Sequence, residues 1–192
     1  MSSILLDQGV WRISVGSWVS NQGLRRGYVL GGMIITEESS GFPWPTTETW
    51  LDTMTQYDFV KEWRTEPLPS EVGKTVDGGL IALDRVGEDG VLLFLGGEQK
   101  DGVGVLSRRS LDTVWVYGIK TSAWHEQITT GDIPVGRRHG CYFTVPAPDL
   151  SRYQIYTFSG LPAGDVILLD LYGNGDERNR YQVTTKAGIR NL

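Results

Sequence analysis

The sequence predicts an all-β fold made of short, repeated antiparallel strands. Glycine occurs 25 times and tryptophan 7 times in the 192 residues. Glycine permits the tight turns that join strands, whereas a glycine inside a helix costs about 1 kcal/mol relative to alanine. The apolar runs, such as Val91–Leu95, have the length of one strand. These runs also recur at a regular spacing, which indicates repeated structural units.

Glycines that follow the apolar runs mark the repeat. The markers are Gly31-Gly32, Gly96-Gly97 and Ser159-Gly160. They are offset by 65 and then by 63 residues, counted from positions 31, 96 and 159. Paired glycines let a backbone turn where a side chain would collide. The markers therefore divide the chain into three copies of one unit.

A tyrosine and a tryptophan follow the first two glycine pairs. Tyr57 precedes Trp63 by 6 residues, and Tyr117 precedes Trp124 by 7. The third copy lacks both. Large aromatic side chains fill gaps between packed sheets and bury about 150–250 Å² each. We therefore expect these four residues to pack between neighbouring units.

The middle copy is predicted to be a four-stranded meander. Its first strand is Gly79–Leu83, and its central strand, Val91–Leu95, is buried on both faces because it is apolar without interruption. A third strand follows at 112–117, and an outer strand lies around Trp124. Turn-forming residues separate these segments.

Two segments differ in length and composition between copies. Residues 33–50 and 98–110 are predicted to be surface loops, which often carry recognition. They are candidate contact surfaces.

These residues resemble the kelch repeat, in which a double glycine after an apolar strand is followed by a tyrosine and, about six residues later, a tryptophan. Residues 129–139 and 147–156 resemble segments of fungal kelch proteins. The resemblance covers about residues 24–171 and implies β-propeller blades of the galactose oxidase/kelch type. The motif residues that it assigns are Gly31, Gly32, Tyr57, Trp63, Gly96, Gly97, Tyr117, Trp124 and Gly160.

The expected organisation is an incomplete kelch propeller over residues 1–172. Its boundaries are blades at 24–66, 78–127 and 138–172, partial-blade strands at 1–20 and an irregular C-terminal tail at 173–192. The kelch propellers that this sequence resembles are closed rings of about six or seven blades. About three blades therefore leave the ring open. Open strand edges invite pairing with another chain, and self-association through them is a further expectation.

Composition disfavours several classes of function. The net charge is −5, whereas nucleic-acid binding uses a basic face. No apolar run approaches the roughly 18 residues of a membrane-spanning helix, and the N-terminus has no signal-peptide pattern. The single cysteine, Cys141, forms no internal disulfide, so a cytoplasmic location is the expectation.

The sequence predicts no enzyme, no cofactor and no metal site. The only histidines are His125 and His139, whereas a metal site needs three or four ligands. Cys141 is expected to be a small buried residue and not a nucleophile. Galactose oxidase itself uses a copper centre with several histidine and tyrosine ligands, which these residues do not match. A fragment of a galactose-oxidase-like or nitrile-specifier-like kelch enzyme is the alternative, and a truncated propeller without independent function is another.

The favoured function is a protein-interaction module or scaffold. The resemblance points to arginines near blade openings as partner-binding residues, here Arg137, Arg138 and Arg152. A guanidinium group grips a carboxylate of an acidic partner with two hydrogen bonds. The alternative is that these arginines bridge two blades. Trp44, at an apolar loop tip, is the fourth candidate.

Overall fold

The computed structural model describes the backbone of residues 2–7, 10–21, 24–37, 46–60, 62–149, 152–158, 166–172 and 182–189. Side chains are described for residues 25–35, 47–60, 62–149 and 152–157. Over this part of the chain the structure consists of β-sheets and contains no helix, which confirms the predicted fold class. Among the same residues, accordingly, no helix is long and apolar enough to cross a membrane.

The first blade is an antiparallel sheet. Its strands are β1 (Ser2–Asp7), β2 (Val10–Asn21), β3 (Leu24–Glu37), β4 (Thr46–Trp50), β5 (Thr53–Asp58) and β6 (Glu62–Pro67). The four-stranded meander is β2-β3-β5-β6, while β1 lies beside β2 and β4 pairs with the end of β3. Residues 1–20, predicted to hold strands of a partial blade, contribute β1 and most of β2 to this sheet. The first blade therefore begins before residue 24.

The second blade follows the predicted meander closely. The strands of this region are β7 (Lys74–Val76), β8 (Gly79–Leu83), β9 (Val91–Leu95), β10 (Glu98–Lys100), β11 (Leu106–Arg108), β12 (Thr113–Gly118) and β13 (Ala123–Gly131). The blade itself is β8-β9-β12-β13, with each neighbouring pair antiparallel. All five residues of β9 are buried, because the strand lies between two other blades.

The two segments predicted to be loops contain paired strands, so that prediction is wrong for the residues of those strands. The end of β3 pairs with β4 within residues 33–50, and β10 pairs with β11 within residues 98–110. On its other side β10 pairs with β7. The cause lies in the paired glycines, whose φ angles are 55° and 112° at Gly31 and Gly32 and 63° and 87° at Gly96 and Gly97. After Gly97 the chain passes to β10, which belongs to another sheet, whereas at Gly31 and Gly32 the left-handed backbone forms an irregularity after which β3 remains paired with β2.

The third blade has four strands. They are β14 (Cys141–Pro146), β15 (Arg152–Phe158), β16 (Val166–Tyr172) and β17 (Gln182–Ile189), paired antiparallel in that order. Residues 173–192, predicted to be an irregular tail, thus contain a strand at 182–189, and the prediction is corrected there. Strand β17 pairs with β16 on one side and, in parallel, with Thr129–Gly131 of β13 on the other. It therefore satisfies backbone groups that would otherwise form an open edge.

Two apolar cores lie between the three blades. Leu30 and Met54 of the first blade pack in one cluster with Phe94 of the second. On the opposite side of the second blade, Leu93 and Leu95 share a cluster with Ile155 of the third, together with other buried residues. Each junction between blades is thus a hydrophobic core built from two sheet faces.

Candidate functional site

Each blade has a leading face, directed at the blade before it, and a trailing face, directed at the blade after it. The leading face of the second blade contains Tyr117 and Ile119, which are buried in the cluster shared with Tyr28 of the first blade. The rings of Tyr117 and Tyr28 meet edge to face, with centroids 6.2 Å apart. The Tyr117 hydroxyl donates to Glu66 Oε1 at 2.8 Å, and burial raises the pKa of Tyr117. A covered leading face therefore buries its aromatic ring and pairs its polar atom with the neighbouring blade.

Trp124 completes the leading face of the second blade. It lies directly opposite Tyr117 across the β12–β13 pair, and their ring centroids are 5.1 Å apart. Its side chain is half-buried against the core between the first and second blades. This is the position expected for packing between blades.

The leading face of the first blade repeats this arrangement but is open. Tyr57 lies opposite Trp63 with centroids 4.7 Å apart, and Tyr57 also contacts Phe59 at 5.1 Å. Trp63 is 67% exposed and Phe59 is 60% exposed, whereas Ile119, the equivalent of Phe59, is 3% exposed. Phe59 and Trp63 thus keep more than half of their surface exposed to solvent.

The exposure of Trp63 contradicts its predicted packing between blades. Its motif position matches that of Trp124, and its contact with Tyr57 is preserved. The two tryptophans differ in exposure because, within the described part of the chain, only Trp124 has a preceding blade to pack against. The described strands β1 and β2 join the same sheet as β3 and do not form a blade before it. The motif predicts an aromatic face, and a neighbouring blade must be present to bury it.

The trailing face of the third blade is also open. Phe143 lies opposite Tyr156 and stacks on it, with centroids 4.8 Å apart and planes 7° from parallel. Phe143 is 46% exposed, whereas Ile81, at the equivalent position of the second blade, is 8% exposed. Val145 is exposed as well, and its equivalent, Leu83, is fully buried. At these positions the third blade thus exposes apolar side chains that are covered in the second blade.

The double glycines lie against the segment that enters the next blade. A Cβ at Gly31 would collide with the carbonyl oxygen of Thr75, and a Cβ at Gly97 would lie 2.5 Å from that of Val76. A Cβ at Gly96 would lie 2.8 Å from the carbonyl oxygen of Arg137. Gly31 and Gly96 therefore permit close backbone contact with the segment that enters the following blade, whereas Gly97 lies against the segment that enters its own blade. Gly160 lies outside the described residues.

Two of the predicted partner-binding arginines lie at the seam between the second and third blades. The Arg137 side chain is buried, and its carbonyl accepts a hydrogen bond from the Gly97 N–H at 2.6 Å. Arg138 Nη1 lies 2.7 Å from Glu98 Oε2 in an ion pair. Arg152 is exposed, and Trp44 lies outside the described residues. The roles of these four residues in binding a partner stay predictions.

Polar groups continue along this seam. His139 Nδ1 lies 3.5 Å from Asp77 Oδ2, and both residues have left-handed φ angles, of 57° and 58°. Burial raises the pKa of Asp77, while the charge of His139 acts in the opposite direction. The Tyr142 hydroxyl is also buried, which raises the pKa of Tyr142 to about 12. These groups lie just before or within the first strands of the second and third blades, and they connect the two blades.

Arg109 is a buried residue whose role the sequence did not reveal. It donates hydrogen bonds to the carbonyl oxygens of Glu71, at 3.4 Å, and Val72, and its guanidinium lies 5.5 Å from the centroid of the Phe94 ring. Burial lowers the pKa of Arg109 to about 10. Its carbonyl partners lie 38 and 37 residues away, so no local pattern identifies them. A cleft of about 310 Å³ opens beside it, with Asp112 also in its wall.

Metal-binding and nucleophilic side chains were also compared with the sequence predictions over the described part of the chain. No group of three or more histidine, cysteine, aspartate or glutamate side chains there could hold a metal ion. Cys141, expected to be buried, is exposed. It is the first residue of β14, and its side chain points away from the core that Tyr142 contacts.

Comparison with known proteins agrees with the architecture. The chain is 26% identical over 185 residues to a kelch repeat-containing protein of Arthroderma benhamiae. The match covers 82% of this chain and 27% of that protein, so the chain spans about a quarter of its relative's length. No family profile matches. The similarity and the four-stranded antiparallel blades together support a kelch-like fold.

Proposed function

We propose that the chain is a kelch-type protein-interaction module, without a catalytic site of its own, that binds partners through the open faces of its outer blades. The exposure of Trp63 and Phe59 carries this proposal, because the equivalent side chains of the second blade are covered. Contiguous exposed apolar surface marks interaction sites on proteins. Aromatic side chains also supply much of the binding energy at protein interfaces.

The open leading face is held by strands, which suits it to binding. Tyr57 and Trp63 belong to the paired strands β5 and β6. At the end of β5, Asp58 Oδ2 accepts a hydrogen bond from Arg26 Nε of β3 at 2.9 Å. A surface that is already ordered loses less conformational entropy when a partner binds.

The tip of the β10–β11 hairpin is a second exposed apolar surface. Val103, Val105 and Leu106 are exposed there. The turn is ordered by Asp101, whose Oδ1 accepts hydrogen bonds from the backbone N–H groups of Val103 at 3.0 Å and Val105 at 2.7 Å. This tip belongs to a segment that the sequence marks as a contact surface, and it serves as the competing surface in the experiment below.

Affinity capture followed by quantitative mass spectrometry tests the proposal. The bait is the full chain as wild type, as the open-face variant Phe59→Lys/Trp63→Lys, or as the tip variant Val103→Lys/Val105→Lys. We expect the open-face variant to lose most of the specifically captured protein and the tip variant to keep it, while circular dichroism shows both to be folded. Capture that depends only on the tip, or on neither surface, would overturn the proposal.

A further inference from the structure

We propose that the tip of the β10–β11 hairpin docks onto a membrane surface that contains anionic phospholipids, with its apolar side chains inserted among the headgroups. This surface is separate from the open leading face of the first blade, so the inference goes beyond the proposed function. Three features of the described residues carry it, namely an apolar tip, a turn that satisfies its own backbone, and a row of positive charge beside them.

The tip of the hairpin is apolar and aliphatic. Val103 is 86% exposed, and Val105 and Leu106 each keep more than half of their surface in solvent. Contiguous exposed apolar surface marks a protein or membrane interaction site, since covering it with an apolar phase is favourable. The side chains that dominate protein–protein interfaces are tryptophan, tyrosine and arginine, whereas valine and leucine are under-represented there. The composition of the tip therefore favours a lipid surface over a protein partner.

The backbone of the tip is prepared for less polar surroundings. The N–H groups of Val103 and Val105 both donate to Asp101 Oδ1, and the Gly104 N–H donates to the Asp101 carbonyl oxygen at 3.0 Å. The Val105 carbonyl in turn accepts a hydrogen bond from the Asp101 N–H at 3.1 Å. A polar backbone group that leaves water without a partner is strongly unfavourable. Because these groups are paired within the turn, inserting the tip does not leave them without hydrogen bonds.

A row of side chains next to the tip is positively charged. Lys74 of β7 lies directly opposite Lys100 of β10, and Lys100 lies directly opposite Leu106 of β11. Directly opposed residues of antiparallel strands point to the same face, and like charges at such positions repel each other. Lys100 Nζ lies 5.5 Å from the centroid of the Trp50 ring, a contact that leaves its net charge in place. An anionic surface would relieve the repulsion between the two lysines.

The carboxylates of this small sheet and its turn are already engaged. Glu98 Oε2 lies 2.7 Å from Arg138 Nη1, and Asp101 accepts the hydrogen bonds of the turn. Lys74, Lys100 and the exposed Arg108 give three positive charges against these two negative ones, an excess of +1 in a chain whose net charge is −5. The positive charge is thus concentrated beside the apolar tip, where it can meet the headgroups of anionic lipids.

The apolar tip and the charged row are contiguous through Leu106, which belongs to both. Binding of a protein to a membrane interface increases with the apolar area inserted and with the attraction to anionic lipids. The hairpin supplies both on one projecting turn. We therefore expect binding that requires the apolar side chains and the lysines together.

Co-sedimentation with lipid vesicles tests this proposal on the full chain. The vesicles contain either phosphatidylcholine alone or phosphatidylcholine with about one-quarter phosphatidylserine. We expect wild type to bind the vesicles with phosphatidylserine and to bind them more weakly as the salt concentration rises. The serine variant, Val103→Ser/Val105→Ser/Leu106→Ser, and the glutamine variant, Lys74→Gln/Lys100→Gln, should each weaken this binding by about tenfold or more.

Val135→Ser is the matched control for the serine variant. Val135 is 65% exposed and lies in the linker between β13 and β14, away from the hairpin in the sequence. It should bind vesicles as wild type does, and circular dichroism verifies that all variants are folded. Wild type that fails to sediment with phosphatidylserine vesicles would overturn the proposal. So would equal binding to both kinds of vesicle, or binding that the serine variant retains.

A polarity-sensitive dye reports insertion directly. The dye is attached to Val103→Cys or, as control, to Val135→Cys, each in a Cys141→Ser background because Cys141 is exposed. Adding phosphatidylserine vesicles should shift the emission of the dye at position 103 to shorter wavelength and leave that at position 135 unchanged. Equal emission at position 103 with and without vesicles would show that the tip does not enter the membrane.

Trp63→Ala separates this proposal from the proposed function. It alters the open leading face and should leave vesicle binding unchanged, because Trp63 lies on another sheet. If Trp63→Ala abolishes vesicle binding and the serine variant keeps it, the membrane contact belongs to the open face and the present proposal is wrong. If wild type binds no vesicles while capture of other proteins still depends on Trp63, the membrane contact is wrong and the proposed function stands.

Discussion

The first and second blades carry the same aromatic pair in the same register, yet only one pair is covered. Tyr117 and Trp124 lie against the first blade, where Tyr117 is buried and bonded to Glu66. Tyr57 and Trp63 keep their mutual contact, but Trp63 remains largely exposed. The kelch motif thus builds one face of a junction, and the neighbouring blade decides whether that face becomes core or contact surface.

Truncating the two tyrosines should give the largest difference in stability between the two blade faces. Tyr117→Ala removes a buried ring and its hydrogen bond to Glu66 Oε1, so it should lower the free energy of unfolding by about 3–5 kcal/mol. Tyr57→Ala removes a ring from an open face and should cost less than about 1.5 kcal/mol. Urea denaturation measures both. Equal losses would show that the first blade's face is covered within a single chain.

The motif glycines allow a second matched test. Gly97→Ala places a methyl group at φ 87° and 2.5 Å from the carbonyl oxygen of Val76, whereas a Cβ at Gly102 meets nothing within 4 Å. The left-handed backbone and the collision should together cost about 2–4 kcal/mol at Gly97. Gly102→Ala should change stability by less than about 1 kcal/mol in either direction. Thermal unfolding compares the two, and a harmless Gly97→Ala would refute the close backbone contact between Gly97 and Val76.

The tryptophans should show the same asymmetry as the tyrosines with a smaller amplitude. Trp124 is only half-buried, so Trp124→Ala should destabilise the chain by about 2–3 kcal/mol. Trp63→Ala should stay within about 0.5–1 kcal/mol of wild type. Denaturation of dilute samples reports both values. A Trp124→Ala loss below about 1 kcal/mol would remove Trp124 from the packing between blades.

Alkaline pH probes the seam between the second and third blades. Burial raises the pKa of Tyr142 to about 12, above its ordinary value near 10, so the folded state retains a proton that the unfolded state loses. Stability should therefore fall as pH rises from about 10 to about 12. Tyr142→Phe removes this contribution and should make the decline shallower, while Phe143→Leu, which changes no titratable group, should not. Unfolding free energies measured at several alkaline pH values test this prediction. Identical slopes against pH for wild type and Tyr142→Phe would contradict the burial of the Tyr142 hydroxyl.

The smallest expected effect concerns the arginine at the same seam. A double-mutant cycle with Arg138→Gln and Glu98→Gln should give a coupling energy of about 0.5–1 kcal/mol, because the ion pair is partly exposed to solvent. The coupling should decrease in high salt. A coupling energy of zero would show that this ion pair does not stabilise the contact between the blades. Arg138 would then remain a candidate for the predicted contact with an acidic partner.

The sequence predicted the structure correctly where neighbouring residues determine the ends of a strand. Strands β8 and β9 have the predicted bounds, because β9 is uniformly apolar and is flanked by Gly90 and Gly96. The bends at the paired glycines were also predictable, since two adjacent glycines favour left-handed backbone. The continuation of the chain as a hairpin was not, because it depends on pairing with strands up to 26 residues away, as at Lys100 and Lys74 of β10 and β7.

The candidate site was less predictable because it depends on neighbours. Trp63 and Trp124 have equivalent motif positions, and only the three-dimensional arrangement distinguishes an open face from a covered one. Arg109 is buried by carbonyl groups from the linker between β6 and β7, which no pattern near residue 109 reveals. Strand β17 was missed because its sequence lacks the apolar run that marks the other strands.

Thiol labelling at Phe59 and Ile119 tests the central comparison most directly. Phe59→Cys and Ile119→Cys are each placed in a Cys141→Ser background, since Cys141 is itself exposed. In dilute solution the cysteine at position 59 should react as fast as an accessible thiol, while that at position 119 should be strongly protected. Protection at position 59 equal to that at position 119 in dilute solution would contradict the open leading face of the first blade.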